Sequence, residues 1–520
     1  MTDRPDSLAA RSFADAEDCL HRLELATPRL APPLALAVTR APERDTGLAP
    51  GPARSTADLG ASAREHGARV RSSRSVEPPV LSKAPTLAEA LAQLGSGRIT
   101  TRELVESALV VADATRELGT VAALDEDASR AEADRLDLER ATGLNRGPLH
   151  GIPITVKDVI DAAGLPTRAG SLAYDDPEPT DSAAVSRLRA AGALVLAKVA
   201  THEFALGVTT PQCRNPHDPT RIAGGSSGGS AIAVATGFGL ASVGTDTRAS
   251  LRVPAHCCGV VGFKPTFGRV PTDGIVPLSW TIDHIGPIAR TVEDAAIVLN
   301  VLAGAPLLRV PGPDEPPRQT AEGIVVGIVP EVFADADADV ADACERALAA
   351  LEETGVRVVE IAGPGIEDLE TSNAIGLLVS RSEAAAYHRS QGTDLARCIP
   401  EVRDQLAAGL TISAADYLDA QRQRHLLSQR AVASFVECDV VATPTAPVVA
   451  PPHADYERYL LRLSRNTILW SLVGAPALSL PCGSSREGLP VGLQIAAAPG
   501  REQALVDTGV ALERVLAGCR

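Results

Sequence analysis

The residues best suited to chemistry are serines in a glycine-rich part of the chain. Residues 221–270 read RIAGGSSGGSAIAVATGFGLASVGTDTRASLRVPAHCCGVVGFKPTFGRV, with glycine pairs on both sides of Ser226 and Ser227. Glycine lets the backbone adopt positive φ and approach another group closely. Such a turn can present a serine nucleophile, provided that a base takes the proton of its hydroxyl group.

Two other interpretations of this segment lack their required context. A phosphate-binding loop needs a GK[ST] ending, and a dinucleotide fold needs G-x-G-x-x-G between a strand and a helix; neither pattern is present here. Gly225–Gly229 matches the nucleophile elbow G-x-S-x-G with Ser227 at its centre, but an elbow follows a strand directly. The preceding residues, CRNPHDPTRIAG, contain two prolines and show no alternation.

A lysine offers the base. Only four of the 49 basic residues are lysines, either through coding bias or because arginine, which keeps its proton, would not serve at those positions. Lys157 ends the apolar run of GIPITVKDVIDAAG, where burial would lower its pKa from about 10.4 towards neutrality. The alternative is an ordinary ion pair with the adjacent Asp158.

These residues must be positioned by alternating strands and helices. The chain from residue 85 predicts two helices with N-caps at Thr86 and at Thr100 or Thr101, followed by short apolar runs separated by helical stretches. This alternation predicts an α/β fold with a largely parallel or mixed sheet covered on both faces. The predicted strands are Ile152–Val156, Ala193–Leu196, Gly259–Phe263, Ile324–Val329, Val356–Ile361, Asp439–Ala442, Ala477–Leu480 and Val491–Ile495.

The first 84 residues differ from the rest. Stretches such as RLAPPLALAVTRAPERDTGLAPGPARS are rich in proline, alanine and arginine and show no sustained periodicity. We therefore expect a poorly ordered or accessory extension over residues 1–84, and one domain over residues 85–520.

Composition excludes several classes of protein. With 45% hydrophobic residues among 520, the chain can form a large core, and its net charge of −16 repels nucleic acid and anionic membrane surfaces. No apolar run reaches the roughly 18 residues of a membrane span. Nine cysteines without C-x-x-C or zinc-type spacing indicate reduced thiols in the cytoplasm and no metal site.

Several segments together resemble the amidase signature enzymes. GIPITVKD, AGGSSGGSA and GTDTRASLRVPA resemble the three core segments of that family, and LWSLVGAPALSLPCG with GLPVGLQIAA resembles its C-terminal segment. The resemblance runs from about Pro85 to the C-terminus, and the spacing from Lys157 to Ser226 and on to Ser250 fits the family. It implies a single large mixed β-sheet sandwiched between helices.

The resemblance also implies a catalytic triad. Ser250 resembles the nucleophile, Ser226 a bridging serine held by a cis peptide bond, and Lys157 the general base. Lys157 would draw the proton of Ser250 through Ser226 and then return it to the departing nitrogen.

The same resemblance implies an oxyanion hole formed by backbone N–H groups. These belong to Thr247, Arg248, Ala249 and Ser250. The commoner family pattern has two glycines where Arg248 and Ala249 stand. If either position required positive φ, its Cβ atom would cost roughly 1 kcal/mol and the loop would be shaped differently. The alternative for Arg248 is a solvated or ion-paired side chain that does not touch the substrate.

Other residues have supporting roles. We expect Asp246 and Arg252 to pair and fix the loop around the nucleophile, and Ser227 to hydrogen-bond the bridging serine. Asp283 and His284 could form an acid–base pair, but a histidine next to a carboxylate is usually a structural group, and a role in substrate binding or in the loop is the alternative. Four further residues are expected to be structural: Lys198, Lys264, Cys257 and Cys258.

These observations predict an amidase that hydrolyses a linear carboxamide to a carboxylic acid plus ammonia or an amine. We expect a small-molecule amide substrate, no metal or organic cofactor, and by default a homodimer. By the resemblance, the segment from about Leu307 to Glu437 shapes the substrate pocket. The alternatives are a protein that resembles the A subunit of an amidotransferase and works in a tRNA-dependent complex, a carbamate or urea-derivative hydrolase of the same family, and an inactive member of the fold.

Overall fold

A computed structural model describes residues 84–310, 321 and 323–518. The predicted extension over residues 1–84 therefore lies outside the described residues except for Ala84, and the domain boundary stays a prediction. Among the described residues, no helix is long and apolar enough to cross a membrane.

One mixed sheet of eleven strands organises the described residues and confirms the predicted α/β fold. The strands are β1 (Val121–Leu124), β2 (Pro153–Lys157), β3 (Leu194–Val199), β4 (Ala241–Asp246), β5 (Val261–Lys264), β6 (His284–Ala289), β7 (Val325–Ile328), β8 (Arg357–Glu360), β9 (Val440–Pro444), β10 (Ala477–Ser484) and β11 (Pro490–Ala497). Their spatial order is β1-β3-β2-β4-β6-β5-β10-β11-β9-β7-β8. Strand β2 is parallel to β3 and β4, and β7 is parallel to β8 and β9, whereas the other neighbours are antiparallel.

Fourteen α-helices within the described ranges cover this sheet. They are α1 (Leu87–Gly95), α2 (Thr101–Ala114), α3 (Glu126–Ala141), α4 (Ala183–Ala190), α5 (Gly228–Thr236), α6 (Arg252–Cys258), α7 (Val292–Ala303), α8 (Pro330–Ala334), α9 (Ala338–Glu352), α10 (Ile366–Ser390), α11 (Pro400–Gly409), α12 (Ala414–Ala433), α13 (Leu460–Val473) and α14 (Glu502–Gly518). The predicted N-caps of the first two helices are confirmed, because Thr86 and Thr100 each accept the N–H of a glutamate three residues later in a capping box.

All eight predicted strands overlap observed ones, and three observed strands were not predicted. Two of the three, β4 and β6, lie side by side near the middle of the sheet. Their sequences, ASVGTD and HIGPIA, contain glycine and proline, which are rare in strands, and few β-branched residues. Burial on both faces and pairing with neighbours make them strands despite this weak local preference.

The sheet brings the candidate catalytic residues together at the edge formed by the carboxyl ends of its strands. Strands β2 and β4 are parallel neighbours, so their carboxyl ends, at Lys157 and Asp246, lie at the same edge. Ser250 follows β4 at the turn that leads into α6, and Ser226 lies two residues before the start of α5. In open α/β sheets, ligands bind outside the carboxyl ends of strands. This edge therefore holds the candidate site.

Candidate active site

Lys157 is a buried amine whose hydrogen bonds go to two hydroxyl groups. Its Nζ donates to Ser226 Oγ at 2.7 Å and to Thr245 Oγ1 at 2.8 Å, and its side chain is fully buried. Burial lowers the pKa of Lys157 from 10.5 to about 7, although the Asp246 and Asp283 carboxylates oppose this shift. Near neutral pH the amine is thus uncharged in a large fraction of molecules, and it can then accept a proton from Ser226.

The ion pair considered for Lys157 and Asp158 is not the pairing that the structure shows. An Asp158 carboxylate oxygen instead lies 3.4 Å from the Nζ of Lys198, the buried lysine near the end of β3. Lys198 also donates to Thr167 Oγ1 at 2.7 Å. Because neighbouring strands carry the two lysines, the carboxylate of Asp158 reaches the other strand. Lys198 thus has the structural role that was predicted.

Ser226 is held by close backbone packing. The peptide bond between Gly225 and Ser226 is cis. A Cβ atom on Gly225 would lie 1.9 Å from the carbonyl oxygen of Thr209, so only glycine fits there. The carbonyl oxygen of Ser226 accepts hydrogen bonds from His202 N and Thr210 Oγ1, both at 3.2 Å. These contacts fix the serine that faces the lysine.

Ser227 does not contact Ser226 in the way we expected. Its hydroxyl donates to the carbonyl oxygen of Thr245 at 3.2 Å, and it packs against Gly244, where a Cβ atom would lie 2.9 Å from Ser227 Oγ. Ser227 therefore attaches the serine turn to β4, the strand that supplies the second partner of Lys157.

Ser250 is nearly buried, with 4% of its surface exposed, and lies at the turn between β4 and α6. None of the hydrogen bonds among the described residues involves its hydroxyl group, so Ser226 and Ser250 are not joined by one here. Catalytic hydrogen bonds are often long before substrate binds. The structure thus joins Lys157 to Ser226 directly, and leaves the hydroxyl of Ser250 for another partner.

The loop that leads to Ser250 has unused backbone donors. Within the described part of the chain, the N–H groups of Thr247, Ala249 and Ser250 find no acceptor. Buried N–H groups without a partner are rare in folded proteins. Neither Arg248 nor Ala249 has positive φ, so the strain considered for residues with a Cβ atom does not arise. This loop can donate several hydrogen bonds to a bound oxygen.

A buried ion pair supports the same loop. Arg252 Nη2 lies 3.0 Å from Asp246 Oδ1, Nε lies 3.0 Å from Oδ2, and both side chains are fully buried. Asp246 also accepts the N–H of Leu251 at 3.1 Å. Burial alone would raise the pKa of Asp246, but the Arg252 guanidinium outweighs it and the result is a pKa of about 2. The loop is therefore supported by an ion pair between Asp246 and Arg252 that stays charged at neutral pH.

Arg248 extends from this loop to two helices. Its Nη2 donates to Asn373 Oδ1 on α10 at 2.9 Å and to Ser464 Oγ on α13 at 3.1 Å. The side chain is half-buried, so it is not solvated; the rest of the alternative interpretation, a side chain that does not touch the substrate, stays a prediction. Through Asn373 it attaches the loop to the segment that was predicted to shape the pocket, and through Ser464 it attaches the loop to α13.

Asp283 and His284 do not form a pair with each other. Thr247 Oγ1 donates to Asp283 Oδ1 at 2.5 Å, whereas His284 Nδ1 contacts the carbonyl oxygen of Ile282 at 2.7 Å. The Nε2 of His284 faces Lys264 Nζ at 3.3 Å, and Lys264 also donates to two backbone carbonyl groups. Lys264 is thus structural, as predicted. Asp283 thus contacts Thr247, at the start of the loop near Ser250, and His284 Nδ1 lies 3.1 Å from the carbonyl oxygen of Asp246, just before that loop.

Sequence reasoning missed Thr245. This threonine lies in the segment GTDTRASLRVPA, but no role was expected for it, because the strand that carries it, β4, was not predicted. Had β4 been placed parallel to β2, a polar side chain near its carboxyl end would have been the natural second partner of Lys157.

Cys257 and Cys258 have the packing role that was predicted. They are at most 1% exposed and pack in an apolar cluster, and burial raises the pKa of Cys257 to about 12. Among the described residues, no group of three or more histidine, cysteine, aspartate or glutamate side chains is arranged to hold a metal ion.

The chain is similar to known amidases in sequence and in structure. A family model described as Amidase matches residues 103–506. The chain is 38% identical over 454 residues to an amidase of Pseudomonas putida, covering 82% of this chain and 95% of that protein. It is 37% identical over 474 residues to the A subunit of the glutamyl-tRNA(Gln) amidotransferase of Roseiflexus castenholzii, covering 83% and 95%. A crystal structure of an amidase, 39% identical, has a TM-score of 0.76 and covers 83% of this chain and 99% of that one.

Proposed function

The chain belongs to the amidase signature family, and we propose that it hydrolyses a carboxamide to a carboxylic acid plus ammonia or an amine through an acyl-enzyme on Ser250. The observation that carries this proposal is the 2.7 Å hydrogen bond between Lys157 Nζ and Ser226 Oγ in a fully buried setting. A lysine with a pKa of about 7 is a base that works at neutral pH.

In the acylation step, neutral Lys157 takes the proton of Ser226 while Ser226 takes the proton of Ser250. The Ser250 oxygen then bonds to the carbonyl carbon of the substrate, giving a tetrahedral oxyanion. When this intermediate collapses, the C–N bond breaks, and Ser226 protonates the departing nitrogen with the proton that Lys157 returns. Ammonia or an amine leaves, and Ser250 is left as an ester.

Water completes the cycle by the same route. It attacks the ester carbonyl carbon while Ser226 and Lys157 accept its proton. Collapse of the second intermediate breaks the bond to the Ser250 oxygen, which regains a proton from Ser226. The carboxylic acid leaves and the three residues return to their starting states.

We assign stabilisation of the oxyanion to the loop before Ser250. The donors are the backbone N–H groups of Thr247, Arg248, Ala249 and Ser250. Support comes from the buried N–H groups of this loop that find no acceptor within the described residues. One such donor is typically worth about 10²–10³ in rate. Backbone donors do not depend on the side chain, so arginine and alanine can serve in place of glycine.

A second candidate function is that of one component of an amidotransferase. It is supported by the 37% identity to the A subunit of a glutamyl-tRNA(Gln) amidotransferase over 83% of this chain. Such a protein would use the same serine and lysine chemistry but depend on partner subunits. Carbamates and urea derivatives are alternative substrates for the same site, because they too have a carbonyl carbon bonded to nitrogen.

The full chain, purified alone, is expected to release ammonia or an amine from simple linear amides. The measurement is product release from a matched panel of amides, esters, carbamates and ureas. Absence of amide turnover, together with stoichiometric co-purification of two further subunits, would instead favour the amidotransferase. Turnover of carbamates or ureas well above that of every amide would reassign the substrate class.

The rate should depend on pH through Lys157. Its pKa is lowered to about 7, and only the neutral amine accepts a proton, so kcat/KM for an amide should rise about tenfold per pH unit below 7 and level off above about 8. Burial raises the pKa of Asp283 to about 6, so this group titrates below Lys157. A profile that is flat from pH 5.5 to 8, with the protein still folded, would contradict the assignment of the base.

A further inference from the structure

Asp283 is a buried carboxylate whose two oxygens both accept hydrogen bonds near the candidate active site. Thr247 Oγ1 donates to Oδ1 at 2.5 Å, and the N–H groups of Leu278 and Ser279 donate to Oδ2 at 3.0 and 2.9 Å. Thr247 is 1% exposed and Asp283 is 3% exposed. Thr247 is also the first residue of the loop that runs from β4 to Ser250. A single carboxylate thus connects the start of that loop to the turn over residues 278–283.

This turn is itself firmly held. Glu383 on α10 accepts hydrogen bonds from Ser279 Oγ at 2.8 Å and from Thr281 Oγ1 at 2.7 Å. It also accepts the hydroxyl of Tyr417 on α12, at 2.6 Å. The turn that carries Asp283 is therefore hydrogen-bonded to α10 and, through Glu383, to α12. The hydrogen bond from Thr247 to Asp283 connects the loop to the same two helices.

The two ends of the loop are held by two different aspartates. Asp283 holds Thr247 at the start, and Asp246 holds the N–H of Leu251 just after the nucleophile position. The backbone between these anchors has N–H groups without acceptors in the described structure. Because no acceptor fixes the direction of those N–H groups, their direction depends on the anchors at the two ends and on the contacts of Arg248 and Ala249 between them.

The charge of Asp283 argues against a direct electrostatic role. An anion near a developing oxyanion raises the energy of that intermediate by Coulomb repulsion. A carboxylate at this position must therefore contribute to catalysis in another way. Its hydrogen bonds provide that contribution, because displacing a donor by about 1 Å can cost roughly 100-fold in rate.

We propose that Asp283 is a positioning residue: by accepting a hydrogen bond from the hydroxyl group of Thr247, it holds the loop over residues 247–250 so that the backbone N–H groups of the loop face the reacting carbonyl oxygen. The inference rests on the proposed function for its catalytic consequence. Its structural part, the fixing of the loop, holds independently of the reaction.

The test compares Thr247→Val with Thr247→Ser. Valine keeps the shape of threonine and removes the hydroxyl, whereas serine keeps the hydroxyl. For Thr247→Val we expect kcat for an amide to fall about 10- to 100-fold with KM within about threefold, and for Thr247→Ser we expect most of the rate to return. Hydrogen exchange of the peptide covering residues 246–253, measured without substrate, should become faster in Thr247→Val.

A matched control is available on α14. Thr508 on α14 is also 1% exposed, and its hydroxyl donates to the carbonyl oxygen of Ala504 at 2.7 Å. Thr508→Val removes a buried hydroxyl of the same kind and should leave both kcat and the exchange of residues 246–253 unchanged. It therefore separates loss of loop geometry from a general loss of stability.

The results of these experiments either support or overturn the positioning role of Asp283. Unchanged hydrogen exchange in Thr247→Val, or an equal loss in Thr247→Ser and Thr247→Val, overturns it. If the wild-type chain hydrolyses no amide, the proposed function fails, and the exchange measurement still decides whether Asp283 holds the loop. If Thr247→Val does not fold, Asp283→Asn replaces it, with the same faster exchange expected and an about tenfold lower kcat, since asparagine retains only part of the hydrogen bonding.

Discussion

Ser250→Ala is expected to abolish amide hydrolysis, lowering kcat by about 10⁴-fold or more. In the proposed reaction the Ser250 oxygen becomes bonded to the acyl carbon, and alanine offers no atom that can replace it. The measurement is ammonia or amine release, combined with intact-protein mass spectrometry during turnover of a slow ester. The wild type should show the mass of an acyl adduct, and Ser250→Ala should show none.

The loss should not come from unfolding. The hydroxyl of Ser250 makes no hydrogen bond with the described residues, so its removal should change the free energy of unfolding by less than about 0.5 kcal/mol. Ser230 is a matched control, because it is fully buried on α5 and its hydroxyl also has no hydrogen-bond partner in the described structure. Ser230→Ala should keep full activity. Full activity in Ser250→Ala, together with loss of activity in Ser227→Ala, would contradict the assignment of Ser250 as the nucleophile and would favour the nucleophile elbow centred on Ser227.

Lys157→Met is expected to lower kcat for an amide by about 10³- to 10⁴-fold, and kcat for an activated ester by much less. Methionine keeps a long apolar side chain in the buried position but can neither accept nor donate the proton. An amine must be protonated as it leaves, whereas a phenolate leaves without help. The measurement is the ratio of amide to ester kcat in the variant and in the wild type.

The control for this variant is the neighbouring buried lysine. Lys198 lies near the end of β3 as Lys157 ends β2, and both side chains are fully buried. Lys198→Met leaves Asp158 without its cation and should lower the free energy of unfolding by about 3–5 kcal/mol. It should nevertheless preserve the ratio of amide to ester turnover. Equal losses of amide and ester turnover in Lys157→Met would remove the support for protonation of the leaving group.

Much of the fold was predictable because its signals are local. Apolar runs bounded by turn residues marked eight strands, and threonines just before a helical pattern marked two helix starts. Strands β4 and β6 escaped prediction because glycine, proline and small residues give them little local preference. Their strand conformation comes from neighbours on both sides, and that information is distributed along the whole chain.

In the candidate site, too, some residues could be predicted from local sequence and others could not. Lys157, Ser226 and Ser250 stood out by residue type, motif and resemblance, which depend only on nearby residues in the chain. Thr245 did not, since it contacts Lys157 across 88 residues of sequence. The ion pair with Asp158 that was considered as the alternative for Lys157 is made by Lys198 instead, which is on the adjacent strand.

The sequence by itself determined which groups are available: a lysine after an apolar run, serines among glycines, and an aspartate and an arginine on either side of Ser250. Only the tertiary structure decided what those groups can do. It buries Lys157 until its pKa falls to about 7, and it leaves backbone N–H groups of the loop without acceptors within the described residues. Both properties depend on which atoms surround a group and on which water is excluded, and these surroundings are set by segments that are distant in the chain.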